Sequence, residues 1–237
     1  SVPRVPEPAE MVNSPSFSYH KEENVPTVPH PALEGMQPEI LAGKVAQNME
    51  LVYFHYGPEN GHVPLPQKIH VLGLSAHYFV TLKHPFEQRK VVGVSRAREG
   101  PQAVVRSFDV RQLYLFPGRD LAVFRCAHFG SKEEIRHLFP ESEFKSGPLQ
   151  IVSTRDMIHG SILSYDEPYL PRATGRTPSS FPRGYFDQRT SPFRKLGSCV
   201  VRAEEKVFQF GDCGSAYISL SGKRRGIIGL HVAAIVE

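Results

Sequence analysis

Cysteine is scarce in this chain. Cys126, Cys199 and Cys213 are an odd number with no C-x-x-C pair, which argues against a disulfide framework and a structural zinc site and favours a reducing setting. Eleven histidines are present, yet none falls in H-E-x-x-H or a similar ligand spacing, so a metal site is not expected. No apolar run approaches the ~18 residues of a membrane-spanning helix, so membrane insertion is not expected. A basic-then-apolar leader is missing too, and the chain opens on Ser1 without a methionine, which fits excision from a longer precursor. Long helical periodicities alternating with strands are also missing, which argues against an α/β enzyme.

What is present is ordinary in amount and uneven in distribution. The 237 residues are 40% hydrophobic and 22% charged, enough for one or two domains with a sizeable core. Residues 1–38 hold eight of the 21 prolines and a net charge of −3, leaving +7 on the rest, 26 basic against 19 acidic. The proline-rich stretch reads as a flexible tail that cannot keep helix or ladder hydrogen bonds. The basic remainder is compatible with nucleic acid, though a charge of this size is more often a solvated surface.

Order is expected from about Pro38, where PEILAGKVAQ makes a short helix with proline in its first turn. Short β-rich runs come next at 49–56, 68–74, 77–82, 90–95, 104–109 and 121–126, then at 149–153, 160–165, 198–203, 215–220 and 226–232. Gly, Pro and charged turns separate them, and about a dozen such strands argue an all-β barrel or sandwich. The polar segment 129–146 is too long for a hairpin and reads as a connector between two β-halves, 42–128 and 147–237. A second insertion, 169–196, is rich in Pro, Gly, Arg and Thr. It reads either as an ordered loop over a cleft or as a surface loop.

The densest chemical signal is FQFGDCGSAY, 208–217. Glycines on both sides of Cys213 allow a sharp turn that exposes the sulfur and aims successive amides at one point. A thiol nucleophile needs a base close in space. His84 ends the strand pattern HYFVTLKH just before Pro85, where a strand gives way to a loop, and His77, at the other end of that strand, is its competitor. Asp120 stands at the turn PGRD before the apolar LAVF, with Asp109 as the alternative carboxylate.

GDCGS followed by Gly229-Leu230-His231-Val232-Ala233 resembles the nucleophile region of the 3C and 3C-like cysteine proteases of picornaviruses and their relatives, including dicistroviruses and iflaviruses. The resemblance covers about 42–237 and implies two six-stranded antiparallel β-barrels of chymotrypsin type with the active site between them. It implies His84, Asp120 and Cys213 as the catalytic set and an oxyanion hole at Gly211, Asp212 and Cys213. His231 would line the pocket for a glutamine side chain, with Phe208 and Gln209 beside it. Many relatives carry threonine where this chain has Phe208, which loosens the expected preference for Gln over Glu. Relatives also continue through one more strand, so the last strand of the second barrel is expected to be missing here.

The implied activity is endopeptidase cleavage of a viral polyprotein in the host cytoplasm, the partner being a polypeptide substrate. The alternative is an RNA-binding module that uses the basic surface and the connector, where Glu133 and Glu134 dilute the charge of Lys132 and Arg136. A papain-like protease is disfavoured because that fold places its cysteine before its histidine.

Overall fold

Helix α1 (Pro38–Gln47) starts as the sequence predicts, with Pro38 in the first turn and the Gln37 carbonyl accepting the amides of Ile40 and Leu41. Leu41, Ala42 and Val45 make its buried face. Asn48 ends it: the buried side chain donates to the carbonyls of Gly73 and Glu133, at 2.9 and 2.8 Å, and so ties the helix to two segments distant in sequence. The computed structural model describes residues 14–18, 35–100, 102–140, 147–165, 181–186, 192–193, 195–203, 208–220 and 225–233.

Seven strands form the first sheet: β2 (Met49–Tyr56), β3 (Gln67–Ser75), β4 (Tyr78–Thr81), β5 (Val91–Arg96), β6 (Arg106–Ser107), β7 (Leu113–Leu115) and β8 (Ala122–Arg125). They pair antiparallel in the order β6-β5-β2-β3-β4-β8-β7. Alternation in β2 sends Val52, Phe54 and Tyr56 inward, as a curled sheet with one solvated face requires. The core they enter is aromatic, with Phe54 against Phe86 and Phe124 at centroid separations of 4.9 and 5.6 Å. Such offset and edge-on pairs add to the area they bury.

The second body is a closed antiparallel barrel. It comprises β9 (Gly147–Val152), β10 (Met157–Tyr165), β11 (Lys195–Ala203), β12 (Ala216–Ser219) and β13 (Gly226–Leu230), completed by β1 (Ser14–Ser18), in the order β1-β11-β10-β9-β12-β13. Leu149, Ile151, Ile162, Cys199, Val201, Tyr217 and Ile228 fill it. The all-β, two-bodied architecture is therefore the one expected.

Two details correct the expectation. The first sheet has seven strands, not six. The stretch 1–38 is not all tail, because Ser14–Ser18 pairs with β11 over five residues and touches β13 at Gly229. Residues 1–13 and 19–34 lie outside the described residues.

The connector is tied down where it is described. Ala76 and Lys132 form an isolated antiparallel bridge. The Lys132 amine and Arg96 reach the buried carboxylate of Glu50 at 3.1 and 2.6 Å. Of the insertion, Phe181, Tyr185 and Phe193 are buried. They pack with Phe186 onto Tyr78, Tyr114, Phe116 and Phe139 of the first sheet and connector. The Tyr185 hydroxyl bonds the Leu74 carbonyl at 3.0 Å. Among the described residues no helix is long and apolar enough to cross a membrane.

Candidate active site

β4 runs out at Thr81, and three residues later the chain turns into a single helical turn, α2 (His84–Glu87), opened by His84 and Pro85. That turn meets Asp120, which stands between β7 and β8. One carboxylate oxygen accepts the backbone amides of Lys83 and His84, both at 2.7 Å. The other lies 2.7 Å from the His84 ring at Nδ1. The turn carrying Asp120 is itself held, by the Phe116 amide on Leu121 and by the Lys83 amine on the Phe116 carbonyl at 2.9 Å. Burial raises the Asp120 carboxyl, but the hydrogen bonds and charge of His84 and the amides of His84 and Lys83 outweigh it, and the net shift is downward. Asp120 is therefore an anion that fixes the imidazole in direction.

The other ring nitrogen of His84 faces the Gln67 amide nitrogen at 3.1 Å. The Gln67 side chain also lies 3.3 Å from the Tyr56 hydroxyl, which is in turn 3.0 Å from the Pro85 carbonyl. With Nδ1 on the Asp120 carboxylate, Nε2 is the nitrogen that carries the lone pair of a base when the imidazole is neutral.

Cys213 sits in the loop between β11 and β12, half-buried, with its thiol 3.3 Å from the Val232 carbonyl. Burial, then the negative charges of Asp120 and Asp212, push the thiol up to about 12. The charge of Asp120 thus bears on Cys213 as well as on His84.

The loop takes its shape from glycines at positive φ, +97° at Gly211 and +85° at Gly214, where a side chain would be strained. The Asp212 carbonyl accepts the Ser215 amide and hydroxyl, at 3.1 and 2.6 Å. The Gly211 amide meets no acceptor among the described residues, and the Cys213 amide meets no backbone acceptor there and lies against its own sulfur. The Asp212 amide is different: it donates to the Gln209 carbonyl at 3.0 Å. It therefore does not join the other two, contrary to the expected three-residue hole. Its buried carboxylate takes the Gln209 amide at 2.5 Å and Arg155 at 3.2 Å.

His231, buried at the end of β13, has Nδ1 2.7 Å from the Tyr217 hydroxyl. Phe208 lies flat on its ring, 4.2 Å between centroids and 9° between planes. The Gln209 side chain is bonded to Arg155.

The competing residues fall elsewhere. His77 Nδ1 bonds the Gly130 carbonyl at 3.2 Å, and Asp109 caps a surface turn through Arg111. Gln67, Arg155 and Tyr217 escape a reading of the sequence. Tyr217 alone carries a signal there, being inside the nucleophile motif. Among the described residues no three His, Cys, Asp or Glu side chains converge as a metal site would.

No family model matches this chain, and no curated protein does. Solved structures do. Tobacco etch virus protease, complexed with product, is similar at 15% identity and a TM-score of 0.46, over 91% of this chain and 75% of its own. Rv3671c from M. tuberculosis is similar at 14% identity and 0.43, over 88% and 90%. Tobacco vein mottling virus protease is similar at 11% identity and 0.39, over 85% and 83%.

Proposed function

We propose that the chain is a cysteine endopeptidase that cuts a viral polyprotein after glutamine, with Cys213 as nucleophile, His84 as base and Asp120 as the group that orients it. The observation that carries this reading is the Asp120–His84 pair. Asp120 holds the ring at Nδ1 so that Nε2 is the nitrogen left for proton transfer, and the same carboxylate is close enough to raise a glycine-bracketed thiol.

A thiol held so high is protonated in the resting protein, so sulfur attack and proton removal go together. Cys213 Sγ bonds to the peptide carbonyl carbon while its proton passes to His84 Nε2, displacing the Gln67 amide. The carbonyl oxygen becomes an anion, and the amides of Gly211 and Cys213 are the donors that meet it. His84 then gives its proton to the leaving amine. A water that His84 deprotonates then attacks the thioester carbon, the C–S bond breaks, and the departing Cys213 sulfur takes the proton back from His84. Asp120 remains ionised and steadies the imidazolium.

Specificity rests on His231. The Tyr217 hydroxyl sits at Nδ1, and in the tautomer where that hydroxyl donates, the proton of a neutral ring is on Nε2, the donor that a glutamine carbonyl requires. Phe208 contributes a flat apolar wall in place of a hydroxyl.

The test is incubation with a peptide library, read by mass spectrometry for the residues that flank each cut. Cleavage after Gln is expected, lost in Cys213→Ala and kept in Cys126→Ala and Cys199→Ala. Activity that survives Cys213→Ala would refute the assignment.

A further inference from the structure

His70 belongs to neither the base pair nor the nucleophile loop, yet it touches that loop at three points. It lies on β3, 2% exposed. Its amide donates to the Cys213 carbonyl at 2.8 Å, and its ring Nδ1 is 2.7 Å from the Gly211 carbonyl. Gly214 packs on its carbonyl so closely that a Cβ there would come within 2.1 Å of the oxygen.

The partners fix the tautomer. A carbonyl only accepts, so Nδ1 carries the proton. Nε2 then accepts the Thr154 amide at 3.2 Å, with the Thr154 hydroxyl 3.0 Å away. Thr154 stands in the turn between β9 and β10, so one imidazole from the first sheet grips two loops of the second barrel. His70 is held in turn by Thr81, whose hydroxyl donates to its carbonyl at 2.8 Å. Thr81 lies three residues before His84.

We propose that His70 is a positioning residue for the oxyanion site, holding the Gly211 carbonyl toward β3 so that the loop presents amide hydrogens, not a carbonyl oxygen, to the developing negative charge. This rests on the reading of Cys213 as the nucleophile. Gly211 has no Cβ and sits at φ +97°, so the peptide after it can rotate at little cost. The Nδ1–H bond selects one orientation. It also keeps the Asp212 amide turned to the Gln209 carbonyl. Without the bond, a rotated Gly211 carbonyl would oppose the oxyanion, while the sulfur and its base would stay in place.

The experiment compares His70→Leu with His70→Asn, two side chains of similar size of which only asparagine can donate near the position of Nδ1. His70→Ala is the smaller third variant. Peptide kcat and KM, and the rate at which iodoacetamide alkylates Cys213, are measured for each and for wild type. Alkylation proceeds by displacement at carbon and develops no oxyanion. His70→Leu is expected to lower kcat about 10–100-fold, with KM and alkylation within about twofold of wild type, and His70→Asn to recover most of the loss.

Equal kcat in wild type and His70→Leu would overturn the proposal. So would a parallel loss of kcat and alkylation in both variants, since that marks a purely structural role. Failure of His70→Leu to fold while His70→Asn folds with a kcat as low as that of His70→Ala would overturn it as well. A wild type that cleaves no peptide fails earlier, at the proposed function itself, and takes this proposal with it.

Discussion

A free thiol titrates near pH ~8.5, whereas burial and two carboxylates hold Cys213 at about 12. The neutral thiol is thus the form the fold favours. The stability this shift contributes is complete below the unfolded value and is lost as pH rises toward the folded one. Alkylation of the resting protein by iodoacetamide should therefore climb through pH ~9 without a plateau in the neutral range. A plateau with a midpoint below about 7 would instead mean a preformed thiolate. Asp120 works in the opposite direction. Its carboxyl is lowered in the fold, so its contribution is present above about 3.9 and disappears as acid protonates it. In the pocket proposed around His231, glutamate would lack the amide donor and would have to be desolvated. Gln should be preferred over Glu by about 10–100-fold, or ~1–3 kcal/mol. That margin should collapse in folded His231→Ala, measured as kcat/KM on matched Gln and Glu peptides. An unchanged margin would mean that His231 does not read the substrate.

At the scale of elements, β1 is the most exposed to test. It lies between β11 and β13 and closes the barrel. Removing residues 1–34 leaves two strand edges unpaired. A loss of about 2 kcal/mol or more should lower Tm by about 4–8 °C, read by thermal unfolding, and an unchanged Tm would show that the strand adds nothing. Its sequence, SPSFS, offers one proline and one aromatic and no β-branched residue, which is why it reads as tail. Strands rich in Val, Ile and aromatics, such as β2 and β13, are legible because alternation or an apolar run announces them. The expected strand at 104–109 shrinks to Arg106–Ser107, and β7 has no counterpart among the expected strands. The helix at Pro38 matches its predicted span, since proline in a first turn and a buried i, i+4 pair leave little choice.

At the scale of the molecule, two bodies meet where β3 receives the loop 211–214, and the aromatic side chains of the insertion brace the first sheet behind Asp120 through Phe116. What the sequence conceals is concentrated at this meeting. The candidates His84, Asp120 and Cys213 are marked locally in the sequence, by a strand giving way to a proline, a turn before an apolar run and a pair of glycines. His70 is not, because its partner Gly211 is 141 residues away and nothing local marks it. The roles of Cys213 as nucleophile and His84 as its base are tested most directly with a peptide that ends in a glutamine-derived Michael acceptor, mapped on the protein by tandem mass spectrometry. One equivalent should bind, on Cys213 and on neither Cys126 nor Cys199, with labelling slowed about 10³-fold or more in His84→Ala. Labelling at Cys126 or Cys199 in place of Cys213, or labelling of Cys213 indifferent to His84, would contradict both roles.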